Sequence, residues 1–275
     1  MRRFDRFLVL AFILSIGPAH ASPPFVGSPD GSSVAGGEWI DLTHELSSDS
    51  VFWPTAEPFE LKVDAKGVTE GGYYYSAYSF CTAEHGSTHI DAPVHFAEGR
   101  ASVEEIPLSR LIGPARVIDV REGVSKSRDH AIGVADLLAW EAQHGPIPSG
   151  AIVLLRTGYS RFWPDAKRYL GTAERGQAGA ANLHFPGLDP DAAAWLVARG
   201  VASVGIDTAS IDPGPSRDFG SHVTLMKADV PAFENLAHLD ALPAVGAYVV
   251  ALPVKIRGGS GGPLRIVAWV PERNH

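Results

Sequence analysis

Ala151-Ile152-Val153-Leu154-Leu155-Arg156-Thr157 is a continuous apolar run that turns polar only at its end. It is of strand length, and the absence of polar alternation is what a strand shows when both faces of its sheet are covered. Its neighbours fit that reading. Val134 to His144 is apolar at helical spacing through Leu137, Leu138 and Trp140, and stops at Gly145-Pro146. Asp189-Pro190 opens a second helix through Ala192, Ala193, Trp195, Leu196 and Val197, ended by Gly200. Val201 to Asp207 is the next strand, Ala115 to Val120 an earlier one, and Tyr248–Val254 and Leu264–Val270 close the chain. Towards the N-terminus, Trp39 to Thr43 and the aromatic run Tyr73 to Phe80 read as strands, the latter leading into Cys81. Strands alternating with helices define an α/β domain.

Composition bounds the rest. With 45% hydrophobic and 20% charged residues the chain buries a sizeable core, which excludes a disordered protein. Cys81 is the single cysteine, so an intramolecular disulfide and a multi-cysteine metal site are excluded, and Cys81 reads as a small buried residue on its strand. A net charge of −8 argues against a nucleic-acid partner. Arg2, Arg3 and Arg6, the apolar run Phe7 to Ile16 and Ala19-His20-Ala21 read as a cleavable signal peptide over 1–21, too short in its apolar part to anchor in a membrane. An exported protein with no membrane partner after cleavage is expected. The Pro-, Gly- and Ser-rich residues 22–37 read as a flexible leader, and 38–275 as one domain with neither an internal repeat nor a dividing linker.

The chemistry is concentrated between Glu84 and Phe96, where His85, His89, Asp91 and His95 fall within eleven residues. Gly86 and Pro93 argue against a regular helix there. In an extended stretch His89 and Asp91, two apart, point to one side and can reach one ion, and a turn at Gly86-Ser87 can bring His85 back to them. Imidazole and carboxylate without thiolate suit zinc, manganese or iron(II) in a catalytic site. Gly158-Tyr159-Ser160 lacks the second glycine of a nucleophile elbow, and Gly258-Gly259-Ser260-Gly261-Gly262 lacks the Lys-Ser/Thr ending of a phosphate loop and reads as a turn. Asp207 and Asp212 flank Ser210 and are left open between lining a pocket and capping a turn.

His85-Gly86-Ser87-Thr88-His89-Ile90-Asp91-Ala92-Pro93-Val94-His95 resembles the first signature of the metal-dependent cyclase-like hydrolases, a family that includes bacterial kynurenine formamidase, with Ser87 where the family usually has Gly. The second signature, a His followed twelve residues later by Glu-Asn-Leu, is matched by His222 and Glu234-Asn235-Leu236. Asp41 to His44, Trp53-Pro54, Gly205 to Asp212 and Gly261 to Arg265 extend the likeness in the family's order. The resemblance implies a compact swivelling β/β/α fold with a mixed sheet and flanking helices, and one or two divalent ions, Zn²⁺ or Mn²⁺. It implies that His85, His89 and Asp91 hold one metal and His222 a second, with Asp91 and Glu234 bridging. It makes His95 the proton donor and acceptor, sets Trp53 against an aromatic substrate, and implies a homodimer whose partner helps close the pocket. The expected activity is metal-dependent hydrolysis of an amide C–N bond in a small aromatic substrate, with N-formylkynurenine first and a cyclic amide such as isatin second. Glu234 favours the first, because the isatin-hydrolysing branch lacks a carboxylate there. An exported metal-binding protein without catalysis is the alternative of another class.

Overall fold

The computed structural model describes residues 33, 34 and 36–272; the expected signal peptide lies outside them. A nine-stranded mixed sheet runs in the order Ser33–Val34, Gly37–Asp41, Gly261–Pro271, Val245–Pro253, Ile112–Asp119, Ile152–Arg156, Ser203–Ile206, Ala232–Glu234 and His89–Asp91. The four strands from Ile112–Asp119 to Ala232–Glu234 are parallel and the other pairings antiparallel. His89–Asp91 also pairs with the start of Gly261–Pro271, with Asp91 opposite Gly261 and His89 opposite Pro263, which closes the sheet into a barrel.

Alternation along Ile152–Arg156 explains its unbroken apolarity. Val153 and Leu155 pack with Leu137, Trp140 and Leu196 beneath the helices Val134–His144 and Pro190–Ala198. Ile152 and Leu154 point the other way, into a second core with Ile90, Phe233, Val249 and Ile266 inside the barrel. Both helices are crossovers between parallel strands and match their expected positions, the second with the Asp189 side chain accepting the Asp191 backbone N–H.

Three features depart from expectation. The stretch read as a leader enters the sheet at its end, where Ser33–Val34 pairs with Gly37-Glu38. The aromatic strand, Tyr74–Cys81, is half of a hairpin with Glu60–Val68 that pairs with no other strand among the described residues. Nearly every residue of that hairpin is exposed, so Cys81 faces solvent rather than a core. The third is an additional helix, Gly220–Lys227, which carries His222.

Close approach explains one glycine of the first signature. A Cβ on Gly86 would lie 2.0 Å from the ring of Phe52, which is buried opposite it. Gly86→Ala is expected to destabilise the protein by about 1–3 kcal/mol, the range for forced overpacking, and thermal unfolding would show a melting temperature several degrees lower. Ser87 beside it adopts φ 53°, a left-handed conformation that suits the glycine usual in the family.

Candidate metal centre

Four chain segments supply the site. His89 and Asp91 lie on one barrel strand with side chains on the same face. Glu234 ends the neighbouring strand directly opposite His89, so register sets their side chains next to each other. His85 sits on the turn before His89. His222 comes from the first turn of Gly220–Lys227, where Asp212 accepts hydrogen bonds from the backbone N–H groups of both Ser221 and His222 and so anchors the helix start.

The contacts converge on Asp91. Its Oδ1 lies 2.6 Å from His85 Nδ1 and 3.1 Å from His89 Nε2, and its Oδ2 lies 3.1 Å from His222 Nε2. Glu234 approaches His222 Nε2 to 3.1 Å and His89 Nε2 to 3.5 Å. The outward nitrogens are already committed. His89 Nδ1 donates to the Ser87 carbonyl at 2.9 Å, and His222 Nδ1 donates to Asp212 Oδ2 at 2.6 Å. Each of these two rings therefore aims its second nitrogen at carboxylate oxygens, and His89 Nε2 is buried without a hydrogen-bond partner among the described residues. A neutral imidazole lone pair facing a carboxylate is repulsive unless a proton or a cation stands between them, so the donor set fits a divalent ion bound by N and O ligands.

Proton and cation compete for these nitrogens. Burial works against a charged His89, but the carboxylates of Asp91 and Glu234 outweigh it and push its pKa up to about 9. Burial likewise opposes a charged His222, and the hydrogen bonds to Asp212, Asp91 and Glu234 raise it well above the usual range. Asp91 is held well below the carboxylate range because its histidine neighbours overcome its burial, whereas burial and the nearby Asp91 raise Glu234. Metal must displace the His89 proton, so affinity should climb by about tenfold per pH unit for each proton displaced, up to pH about 9. The sign is opposite for the metal-free fold: stability from His89 is present below the unfolded pKa of about 6.5 and lost as pH rises through about 9. A chelator competition series from pH 6 to 9 checks the first statement, and a flat profile contradicts it.

His95 stands differently. Its ring stacks on His85 with centroids 3.8 Å apart and meets Phe96 edge-on at 4.5 Å. Burial lowers its pKa to about 4, so it is neutral at pH 7. Its ring also comes within reach of a ligand cluster with His85 and Asp91. Above these groups lies a cavity of about 290 Å³ walled by Phe52, Trp53, Phe96 and Phe219.

All seven site residues expected from the sequence thus meet at one cavity. Phe219 joins them without a sequence signal, and Asp207 and Asp212, open in the sequence between a pocket and a turn, take different roles. Asp207 proves to cap a turn, accepting hydrogen bonds from the Thr157 backbone and hydroxyl and from Gly158 N–H. Asp212 instead holds the His222 ring. Asp212→Asn is expected to weaken metal binding about 10–100-fold, the usual cost of losing a carboxylate behind a ligating histidine, measurable by isothermal titration.

A buried carboxylate–histidine centre beneath an aromatic cavity, on a closed mixed sheet with flanking helices, defines a metal-dependent hydrolase. The sequence model of the Cyclase family matches residues 40–213, and the chain belongs to that family. It is 32% identical over 223 residues to an isatin hydrolase of Roseibium aggregatum, covering 77% of this chain and 82% of that one. It is 28% identical over 235 residues to a kynurenine formamidase of Bacillus mycoides, covering 84% and 96%. The fold superposes on the crystal structure of an isatin hydrolase bound to the product analogue thioisatinate with a TM-score of 0.78 at 27% identity, covering 86% of this chain and 94% of that one. The chain is accordingly an enzyme that hydrolyses amide C–N bonds with a divalent metal.

Proposed function

We propose that the enzyme hydrolyses the C–N bond of a compact aromatic amide, with His85, His89, Asp91, His222 and Glu234 holding one or two zinc or manganese ions. The observation that carries this reading is the carboxylate–histidine cluster on the floor of a cavity walled by Phe52, Trp53, Phe96 and Phe219. What a divalent ion supplies there is Lewis acidity, which makes water a usable nucleophile near neutral pH and polarises the carbonyl under attack. The aromatic walls receive the substrate ring, with Trp53 and Phe219 tilted together at 6.3 Å. His95, neutral and not hydrogen-bonded to another described side chain, takes a proton at a ring nitrogen and delivers it to the departing amine.

Two substrates compete. Glu234 supports an arylformamide such as N-formylkynurenine. The described cavity lining contains neither lysine nor arginine, and N-formylkynurenine brings an amino-acid carboxylate that would find no cation there. Isatin brings no such charge, and the fold matches an isatin hydrolase structure, while the sequence relatives include both activities. The reading is therefore a cyclic amide first and an arylformamide second. Zinc- or manganese-loaded protein assayed side by side on isatin and N-formylkynurenine should show the higher kcat/KM on isatin. The opposite ratio selects the formamidase, and bound metal with no turnover on either points to a metal-binding protein.

Two further properties belong to this proposal. The enzyme is a homodimer, supported by the hairpin Glu60–Val68/Tyr74–Cys81, which exposes Leu61, Val63, Tyr73, Tyr74, Tyr75 and Phe80. A two-stranded hairpin this apolar is marginal alone in water and calls for a covering surface. Phe52, by contrast, is buried within its own chain. Light scattering gives the mass directly. The enzyme is also exported, supported by its first 21 residues, and N-terminal sequencing of protein from the extracellular or periplasmic fraction should begin at Ser22.

A further inference from the structure

The glycine-rich run Gly258 to Gly262 reads as a turn in the sequence, and the structure places it against the metal centre. Its backbone is tied down at three points: Gly258 N–H donates to Glu104, the Gly259 carbonyl accepts from Val103, and the Ser260 carbonyl accepts from Ala92. The Ser260 side chain sits between Glu84 and His85. Its hydroxyl donates to Glu84 Oε2 at 2.6 Å, and its backbone N–H donates to the same oxygen at 3.0 Å. His85 Nε2 lies 2.9 Å from Ser260 Oγ.

These contacts place a proton on His85 Nε2. Ser260 has one hydroxyl proton, and the carboxylate takes it, so Oγ can only accept from the imidazole. His85 Nε2 therefore carries a proton and is turned away from the centre, so Nδ1, 2.6 Å from Asp91 Oδ1, is the nitrogen that faces the site and would serve as the ligand. The glycines on either side of Ser260 make the approach possible. A Cβ on Gly259 would sit 2.8 Å from Glu84 Oε1, and one on Gly261 would sit 2.6 Å from His85 Cε1 and 2.4 Å from the Ile90 carbonyl.

We propose that Glu84 and Ser260 form a positioning relay that fixes the tautomer and ring plane of His85 and, through the ring stack, the seat of His95. The relay rests on the metal-hydrolase reading above. It plays for His85 the part that Asp212 plays directly for His222, so both rings are held from behind by a carboxylate. Neither relay residue lines the cavity.

The test uses Ser260→Ala, which removes the acceptor, Ser260→Thr, which restores a hydroxyl, and Glu84→Ala, which frees the Ser260 hydroxyl to donate to Nε2 and so reverses the tautomer. Each full-length variant is titrated with cobalt(II), whose visible absorption reports ligand geometry, and with zinc by chelator competition; kcat and KM follow. Ser260→Ala and Glu84→Ala should bind zinc about 10–100-fold more weakly, with an altered cobalt spectrum and a fall mainly in kcat. Ser260→Thr should restore both the affinity and the spectrum. Wild-type affinity and spectrum in Ser260→Ala overturn the relay. Should that variant not fold, the same result in Glu84→Ala, whose side chain is half-buried, overturns it. A wild-type protein that binds neither cobalt nor zinc is a different failure, that of the metal reading itself.

Discussion

Asp91→Asn abolishes metal binding and reduces kcat/KM by more than the 10–100-fold typical of residues that merely support a ligand. Asp91 contacts three of the site's histidines: Oδ1 serves His85 and His89, and Oδ2 serves His222. Asparagine is nearly isosteric, so the fold should survive, but its amide replaces one anionic oxygen with N–H donors. That change removes the charge and turns an acceptor into a donor against a ring nitrogen that has to coordinate. His89→Ala is milder in design, because Glu234, His222 and Asp91 remain, yet it too is expected to lose an ion. Elemental analysis of both variants after dialysis at pH 8 reads the outcome. Full metal content in Asp91→Asn would remove Asp91 from the ligand set and with it the organisation of the site around one carboxylate.

Why Asp91 could be found without coordinates is a matter of spacing. His85, His89, Asp91 and His95 are close in sequence, so local chain geometry alone brings them near one another. Glu234 and His222 are not close to them, and only the likeness to a known pair of signatures singled them out; sheet register then puts Glu234 opposite His89. The choice between pocket and turn for Asp212, and any role for Ser260, are illegible because they exist only in the tertiary structure. Asp212 meets His222 across ten residues, and Ser260 meets His85 across 175.

The fold divides along the same line. Ile152–Arg156 and its two crossover helices were readable because burial on both sides leaves an apolar sequence with clear ends. Glu60–Val68 carries a strand pattern too, Glu60, Lys62, Asp64 and Lys66 alternating with Leu61, Val63 and Ala65, yet the described residues cover neither of its faces. Its partner Tyr74–Cys81 is legible as a strand from its aromatics, but the hairpin leaves Cys81 in solvent and not in the core that its residue type suggests. Helix Gly220–Lys227 escaped for another reason. Its eight residues begin Gly-Ser-His-Val-Thr and lack a strong apolar stripe, and what holds its start is the Asp212 carboxylate.

His95→Ala should separate chemistry from metal binding. The ring of His95 stacks on His85 and faces His222 edge-on at 6.0 Å, but no described carboxylate makes a hydrogen bond to it, in contrast to the three rings around Asp91. A ring placed that way, with its pKa lowered to about 4 by burial, is a base at neutral pH that can take a proton and pass it to a leaving nitrogen within one turnover. Its loss is expected to lower kcat by about 10²–10⁴-fold, the range typical of a general acid–base group. Metal content should stay at the wild-type level and KM should change little, because the aromatic walls that receive the substrate are intact. A substrate with a more acidic leaving amine needs less proton assistance, so the penalty should shrink along a series of such substrates. If His95→Ala instead loses metal in step with activity, His95 is a ligand in the cluster it can form with His85 and Asp91, and the proton must come from elsewhere.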